Sequence, residues 1–200
     1  MERLGSQEVH ELVAGLYIPV ANISRAILWP GNPARLENDA EHSYSVALLS
    51  MAAAERLGLN SELAETFGLL HDTVPELFAG DTSVWDEAGR ATKAEREASS
   101  AKQFEEKFAN FPFMIERFRR YERQDTEEAR LVYSLEKWLA TKMIVLGNGE
   151  FWKRNRVTYK MHLAKVVEVR PKIARHPLPL SWYDELLVEI DDRKEELFAI

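Results

Sequence analysis

Four side chains have the types and order of ligands for a divalent metal: His42, the adjacent pair His71 and Asp72, and Glu136. Two imidazoles and two carboxylates suit Mn, Fe, Co, Ni or Zn better than they suit calcium. Burying two carboxylates without a cation is costly, and a divalent ion removes that penalty. Such an ion also lowers the pKa of a bound water and polarises a phosphoryl oxygen. The residues therefore predict a site for metal-assisted hydrolysis.

One metal ion is expected rather than two. The other histidines are His10, His162 and His176, and none of them lies in a comparable motif. Four protein ligands on a six-coordinate ion leave positions open for water and substrate. We expect one divalent ion, and the sequence does not separate Mn, Co, Fe, Ni, Zn and Mg.

Taken one at a time, these residues have ordinary structural explanations. His42 is typical of a helix start, and Glu136 of a surface carboxylate. The His71-Asp72 pair is typical of a helix C-terminus, because a histidine there interacts favourably with the helix dipole. The prediction depends on all of them meeting from separate helices.

A capping box predicts the helix that carries His42. Asn38 and Glu41 have the required three-residue spacing, in which each side chain satisfies a backbone N–H of the first turn. The predicted helix runs to about Leu57, and Gly58 is a natural C-terminal stop. His42 then lies in the first turn.

Two further helices are predicted to present the other candidate ligands. Asn60 can cap a helix that delivers His71 and Asp72 at its C-terminal end. A second capping box, at residues 125–128, opens a helix with Glu136 in its interior. Apolar residues neighbour that glutamate at three- and four-residue spacings, so it is predicted to face the core.

The rest of the chain is predicted to be helical as well. Further helices are predicted over residues 9–18, 93–109, from 112, and over about 157–169 and 182–197. Proline and glycine mark a connector at 29–33 and a stretch of loop and short turns at 73–92. No convincing strand alternation is present. The expected fold class is all-α, as a single domain over residues 1–200.

Composition excludes several classes of protein. The chain has 200 residues, of which 46% are hydrophobic and 30% charged, with a net charge of −7. The length and composition fit one soluble domain. The net negative charge gives no electrostatic attraction for nucleic acid or an anionic membrane. The absence of cysteine excludes thiolate chemistry. No signal peptide or membrane span is recognisable, so the expected location is cytoplasmic.

The chain resembles the HD-domain phosphohydrolases, and more closely the small 5′-deoxynucleotidases among them. The stretches that carry the resemblance are 29–30, 35–43, 71–72 with 76–81, and 121–122 leading to 131–136. They follow the family's order within a core of about 25–146. The resemblance implies an HD-type helical bundle with additional C-terminal helices, about 150–200, packed on it.

The resemblance implies roles around the metal. His42, His71 and Asp72 match metal ligands, and Glu136 stands where the family has its last ligand, an aspartate. Glu76 matches a glutamate that orients or deprotonates the attacking water, and together with Asp72 it is the expected catalytic group. The implied reaction is removal of the 5′-phosphate from deoxynucleoside monophosphates by a metal-bound water.

The resemblance also implies substrate contacts with a small-molecule nucleotide. Asp81 matches an aspartate near the deoxyribose, and Trp29 and Arg35 match residues that line the nucleotide and hold its phosphate. Trp29, next to a rigid proline, is also explained as a core residue. Relatives are often dimers, so a homodimer is among the expected states.

Three positions depart from the family's pattern. Glu136 replaces an aspartate, which moves its carboxylate outward by one methylene, and Glu76 comes one residue later than usual. The family's arginine before the tryptophan is Leu28 here. Arg25 and Lys137 are the candidates to replace it.

Other functions fit the same residues. A small HD-type triphosphohydrolase acting on deoxynucleoside triphosphates needs extra positive charge, for which Lys93, Lys137 and Lys142 are candidates. The changes at Glu136 and Glu76 also fit a non-catalytic nucleotide-binding module. A purely structural helical protein would carry no stoichiometric metal.

Overall fold

Helices make up most of the chain, and the predicted all-α class is confirmed. The computed structural model describes residues 3–83 and 85–198. In chain order the elements are α1 (Ser6–Leu12), a π-helical turn (Val13–Tyr17), α2 (Ile18–Ala21), β1 (Ser24–Trp29), β2 (Asn32–Asn38), α3 (Asp39–Leu57), α4 (Ser61–Leu70), α5 (Thr73–Glu76), α6 (Glu87–Lys107), α7 (Pro112–Arg123), α8 (Glu127–Leu146), α9 (Glu150–Arg154), α10 (Tyr159–Ile173), α11 (Pro177–Asp192) and α12 (Lys194–Leu197).

A β-hairpin lies where the sequence predicts only a connector. β1 and β2 pair antiparallel, with Ser24 opposite Asn38 and Leu28 opposite Leu36. Gly31 adopts a φ of 78° in the turn, a conformation that glycine reaches without steric cost. The prediction of no strand was wrong here. The register is irregular between the paired positions, so buried and exposed residues do not alternate with the period of two that marks a regular strand.

The helix that carries His42 begins and ends as predicted. Asn38 Oδ1 accepts a hydrogen bond from the Glu41 backbone N–H at 3.0 Å, and the Glu41 carboxylate accepts one from the Asn38 N–H at 3.1 Å. Gly58 follows α3 with a φ of 71°. His42 is therefore held in the first turn, with its side chain buried.

Several helices differ from their predictions. The helix predicted over residues 9–18 begins at Ser6 and continues through a π-helical turn to Ala21. The capping box predicted at 125–128 is not formed, because Thr126 caps α8 by accepting a hydrogen bond from the Ala129 N–H.

Three further helices differ from their predicted bounds. α11 begins at Pro177, because proline is well tolerated in the first turn of a helix. α10 continues past Pro171. α6 begins at Glu87, since the Asp86 side chain accepts a first-turn N–H and caps the helix.

A glycine sets the distance between α3 and α4. A Cβ at Gly68 would lie 2.6 Å from the Ala47 Cα and 2.7 Å from its nitrogen, closer than carbon atoms approach without displacement. The two helices are in contact along this line. Their close approach brings the rings of His42 and His71 to 5.3 Å between centroids.

Gly68→Ala is expected to destabilise the fold by about 1–3 kcal/mol, the usual cost of an overpacked contact. The added methyl group must push α4 away from Ala47. Urea or thermal unfolding measures the effect. Gly147→Ala is the matched control, because its Cβ would meet its nearest atoms at 3.4 and 3.5 Å. Equal stability of the two variants would contradict the packing argument.

The C-terminal helices pack on the centre of the fold. α10 and α11 contact α8, and Trp152 of α9 stacks on Phe198 at 4.5 Å between centroids. Trp152 and Tyr183 are almost fully buried, so these aromatics belong to the core. Within residues 3–83 and 85–198, no helix combines the length and apolar character needed to span a bilayer.

Candidate metal centre

Three of the four predicted ligands meet at one point. One ligand atom from each of His42, His71 and Asp72 lies within 4.8 Å of the others. His42 Nε2 is 3.5 Å and His71 Nε2 is 3.2 Å from Asp72 Oδ2. The start of α3 supplies the first residue, and the junction of α4 with α5 supplies the other two. Both imidazoles are buried, whereas the Asp72 carboxylate is partly open.

The histidine surroundings fit a bound cation. His71 Nδ1 lies 2.8 Å from the Gly68 carbonyl oxygen, which can only accept, so Nδ1 carries a proton and Nε2 is the nitrogen left to bind a cation. His42 Nδ1 lies 3.5 Å from Glu37 Oε2. This carboxylate favours a proton on Nδ1 of His42 as well and leaves its Nε2 to bind a cation. His71 Nε2 and both His42 nitrogens are buried without a hydrogen-bond partner in the described part of the chain. Imidazoles oriented by outer carbonyl or carboxylate groups are the usual form of metal-binding histidine.

Glu136 lies near this cluster but not within it. It is buried and lines the same cavity as Asp72, yet the compact three-residue group does not include it. Its Oε1 forms an ion pair with Lys137 Nζ at 2.5 Å. A carboxylate has two oxygens, so this pair occupies only one of them. Glu136 as the fourth ligand stays a prediction.

Arg25 lies at the centre of an acidic network around the cluster. Its Nη1 contacts Asp72 Oδ2 at 2.8 Å and Asp39 Oδ1 at 3.0 Å. The same nitrogen is 3.7 Å from Glu76 Oε2, and Nε is 3.3 Å from Glu37 Oε2. From the sequence, Arg25 was predicted only as a replacement for the family's arginine at Leu28. Its role in joining four carboxylates depends on the hairpin, which was not predicted.

Burial and neighbouring charges set the protonation of the acidic residues. Burial, together with the charges of Asp72 and Asp39, raises the pKa of Glu76 far above its usual range. Burial opposes ionisation of Asp72 too, but His71 and Arg25 hold the pKa of that carboxyl well below its usual value. At neutral pH the network therefore pairs an ionised Asp72 with a Glu76 that retains a proton.

One cavity extends from this network. Its charged end is lined by Arg25, Asp72, Glu76, Lys93 and Lys137. Glu76 lies here although it comes one residue later than the family's pattern predicts. With Glu136 and Asp81, the cavity wall carries four carboxyl groups beside these three cations, so a divalent ion at the cluster would supply the additional positive charge that an anionic substrate needs.

The three predicted substrate-binding residues lie in two places. Asp81 lines the cavity, and its Oδ2 accepts a hydrogen bond from the Ala26 N–H at 3.0 Å. Trp29 and Arg35 are not among the described residues that line it. The Arg35 guanidinium instead lies 4.3 Å from the centre of the Trp29 ring and is 2.7 Å from a Glu41 oxygen. Their roles in substrate binding stay predictions.

A profile of the HD domain family matches residues 22–177. That range is well over half of the chain and contains all of the predicted site residues. The chain belongs to the HD-domain family. In this HD domain, the His-Asp pair is His71 and Asp72.

A solved structure resembles this HD domain along its whole length. It is described as a predicted metal-dependent phosphohydrolase from Magnetospirillum magnetotacticum MS-1. The two chains are 26% identical with a TM-score of 0.74, and the match covers 98% of this chain and 100% of the other. A comparison with curated proteins found no match.

The C-terminal helices of the HD domain line the cavity. Trp152, His162, Val166, Val169 and Tyr183 all contribute to its wall. These helices were predicted only to pack on the helical bundle. No local sequence signal indicates that these residues line the site, because each of them has the type and spacing of an ordinary residue in an amphipathic helix.

Proposed function

We propose that this HD domain is a metal-dependent phosphohydrolase that removes the 5′-phosphate from deoxynucleoside monophosphates. The observation that carries the proposal is the compact group of His42, His71 and Asp72, of which Asp72 lines a cavity that also holds cationic side chains. The HD family match and the structural neighbour support metal-dependent phosphohydrolysis in general. The motif stretches that resemble 5′-deoxynucleotidases support the nucleotide substrate.

The residues that would hold the metal are His42, His71 and Asp72, with Glu136 as the proposed fourth ligand. A divalent ion bound there supplies a water of lowered pKa and a Lewis acid for a phosphoryl oxygen. The partly open side of Asp72 faces the cavity, so a phosphate group can approach from that side.

The other charged groups of the cavity act on the phosphate and on the proton. Glu76 retains a proton in this network, so it is positioned to donate that proton to the leaving 5′-oxygen, and the carboxylate that results can take up a proton from water. Its Oε1 lies 4.0 Å from Lys93 Nζ. Lys93, Lys137 and Arg25 provide positive charge for the phosphoryl oxygens, whose negative charge must be stabilised during transfer.

Glu76→Gln is expected to lower kcat by about 10²–10⁴-fold, the usual contribution of a general acid–base group. The amide has the same shape but cannot exchange the proton, and the metal-binding group remains intact. Steady-state kinetics with a metal analysis of the same sample measures both effects. Glu97→Gln is the control, because Glu97 contacts Lys93 at 3.1 Å and does not line the cavity. Wild-type turnover by the Glu76 variant would remove it from the mechanism.

Product analysis tests the proposed reaction. The protein is incubated with dAMP, AMP or dATP in Co²⁺ or Mn²⁺, and a matched sample contains EDTA. We expect deoxyadenosine and phosphate from dAMP, and no product in EDTA. Turnover of AMP at an equal rate would contradict deoxyribose selection. Tight dNMP binding without any turnover would instead favour a non-catalytic nucleotide-binding module.

Triphosphate hydrolysis is the second candidate, favoured by two lysines at the charged end of the cavity. Lys93 and Lys137 could contact additional phosphates. Lys142, the third candidate, contacts Glu189 at 2.9 Å and is not among the described residues of the cavity wall. Release of triphosphate from dATP, with dAMP left intact, would establish this reaction instead.

A further inference from the structure

One part of the cavity wall has an apolar and aromatic character. It is formed by α8 to α11, and its members include Ile144, Trp152, Val166, Val169 and Tyr183. Trp152 and Tyr183 are almost fully buried, so their rings are held in place by the core. A rigid wall of this kind suits a planar ring better than it suits a phosphate.

His162 is a polar exception in this wall. Its side chain is 4% exposed, and Nε2 has no hydrogen-bond partner among residues 3–83 and 85–198. The ring packs 4.9 Å from Trp152 and 5.4 Å from Phe198 between centroids. Buried polar atoms are almost always paired, so this nitrogen, on a residue of the cavity wall, is a candidate partner for a polar atom of a ligand.

We infer that this part of the cavity is a base-recognition subsite, in which His162 Nε2 forms a hydrogen bond with an edge of the substrate's nucleobase. The inference rests on the proposed function and extends it. With the phosphate at the charged end, the apolar wall receives the base, and Trp152 holds the imidazole in a single orientation. Burial lowers the pKa of His162 to about 4, so at neutral pH the imidazole is uncharged and offers one donor and one acceptor.

The charges nearby favour a base over further phosphates in this subsite. Lys165 also lines the cavity, but its ammonium group contacts Glu168 at 2.7 Å and lies 5.4 Å from the Trp85 ring centre. A chain of phosphates would need several cations in place of the apolar side chains. A neutral heteroaromatic ring requires only stacking area and one hydrogen bond.

The experiment compares four deoxynucleoside monophosphates with 2-deoxyribose 5-phosphate, which lacks the base. His162→Phe keeps an aromatic ring against Trp152 and removes the polar atom. We expect kcat/KM for the preferred nucleotide to fall about ten-fold, the loss of one hydrogen bond, while the rate on 2-deoxyribose 5-phosphate is unchanged. His162→Gln, which can place an amide near the Nε2 position, should recover part of the preference. Leu163→Ala, at an exposed position of the same helix, should change neither rate.

Two kinetic results would overturn the subsite without affecting the phosphatase proposal. One is an equal loss on the nucleotides and on 2-deoxyribose 5-phosphate in His162→Phe, which would give the histidine a structural role only. The other is wild-type turnover of 2-deoxyribose 5-phosphate as fast as that of every nucleotide.

Binding of deoxynucleosides tests the subsite even if no phosphate ester is hydrolysed. Each of the four deoxynucleosides is titrated into the wild type and into His162→Phe by calorimetry. We expect binding of at least one deoxynucleoside to the wild type and about ten-fold weaker binding to the variant. Failure of all four to bind the wild type, or equal affinity of the two proteins, would exclude base recognition. Failure of phosphate release alone would exclude only the proposed reaction.

Discussion

His71→Ala is expected to lose stoichiometric metal and more than about 100-fold of the hydrolytic activity, beyond the 10–100-fold that loss of an outer partner costs. His71 Nε2 is one of three ligand atoms within 4.8 Å, and alanine has no atom to replace it. The Gly68 carbonyl that orients the ring also loses its partner. Metal analysis after dialysis, titration with Mn²⁺ and kinetics on dAMP measure the loss.

A second buried histidine provides the control for this substitution. His176 is 2% exposed and caps α11, where its Nδ1 accepts a hydrogen bond from the Leu178 N–H at 3.2 Å. It is not part of the metal-binding group or the cavity wall. His176→Ala should therefore lose stability but retain metal. Circular dichroism should show that both variants remain helical. Full metal content in His71→Ala would mean that the site lies elsewhere.

Arg25→Met is expected to lower the free energy of unfolding by about 3–5 kcal/mol, the cost of leaving buried charges without their partner. Arg25 contacts Asp39 and Asp72 directly and lies within 4 Å of Glu37 and Glu76. Methionine fills most of the volume but supplies no charge, so the ionised carboxylates of the network are left buried without their partner and repel one another. For a domain of this size the melting temperature should fall by roughly 6–20 °C.

The unfolding measurement for Arg25→Met is made in EDTA, so that no added cation offsets the carboxylates. Arg170→Met is the matched control, because Arg170 forms a two-point contact with Asp184 at 3.0 Å on the exposed surface. Exposed pairs contribute about 0–1 kcal/mol, so this control should melt near the wild type. If the two variants melted at the same temperature, the network around Arg25 would not stabilise the fold.

The elements that the sequence predicted well are those defined by local chemistry. The Asn38–Glu41 capping box and the stop at Gly58 are correct because each depends on hydrogen bonds or dihedral angles within a few residues. The hairpin at 24–38 was missed because its irregular register removes the alternation that identifies strands. The last helix was predicted from residue 182, whereas α11 begins at Pro177.

The residues of the metal-binding group were predicted from the sequence, whereas the contacts of the residues around them were not. His42, His71 and Asp72 were chosen by residue type and order, and the fold brings them together. Arg35 lies over Trp29 on the hairpin, and its predicted role in holding the phosphate stays a prediction. Arg25, a candidate to replace the family's arginine at Leu28, contacts Asp72 and lies near Glu76.

The sequence by itself determined the helical class, the ends of the helix that carries His42 and the chemical types of the metal-binding residues. These follow from hydrogen bonds and periodicity that span only a few positions. Only the tertiary structure decided that Arg25 joins the acidic residues and that His162 and Trp152 line the same cavity as Asp72. Those contacts join residues far apart in the chain, and their distances depend on how whole helices pack.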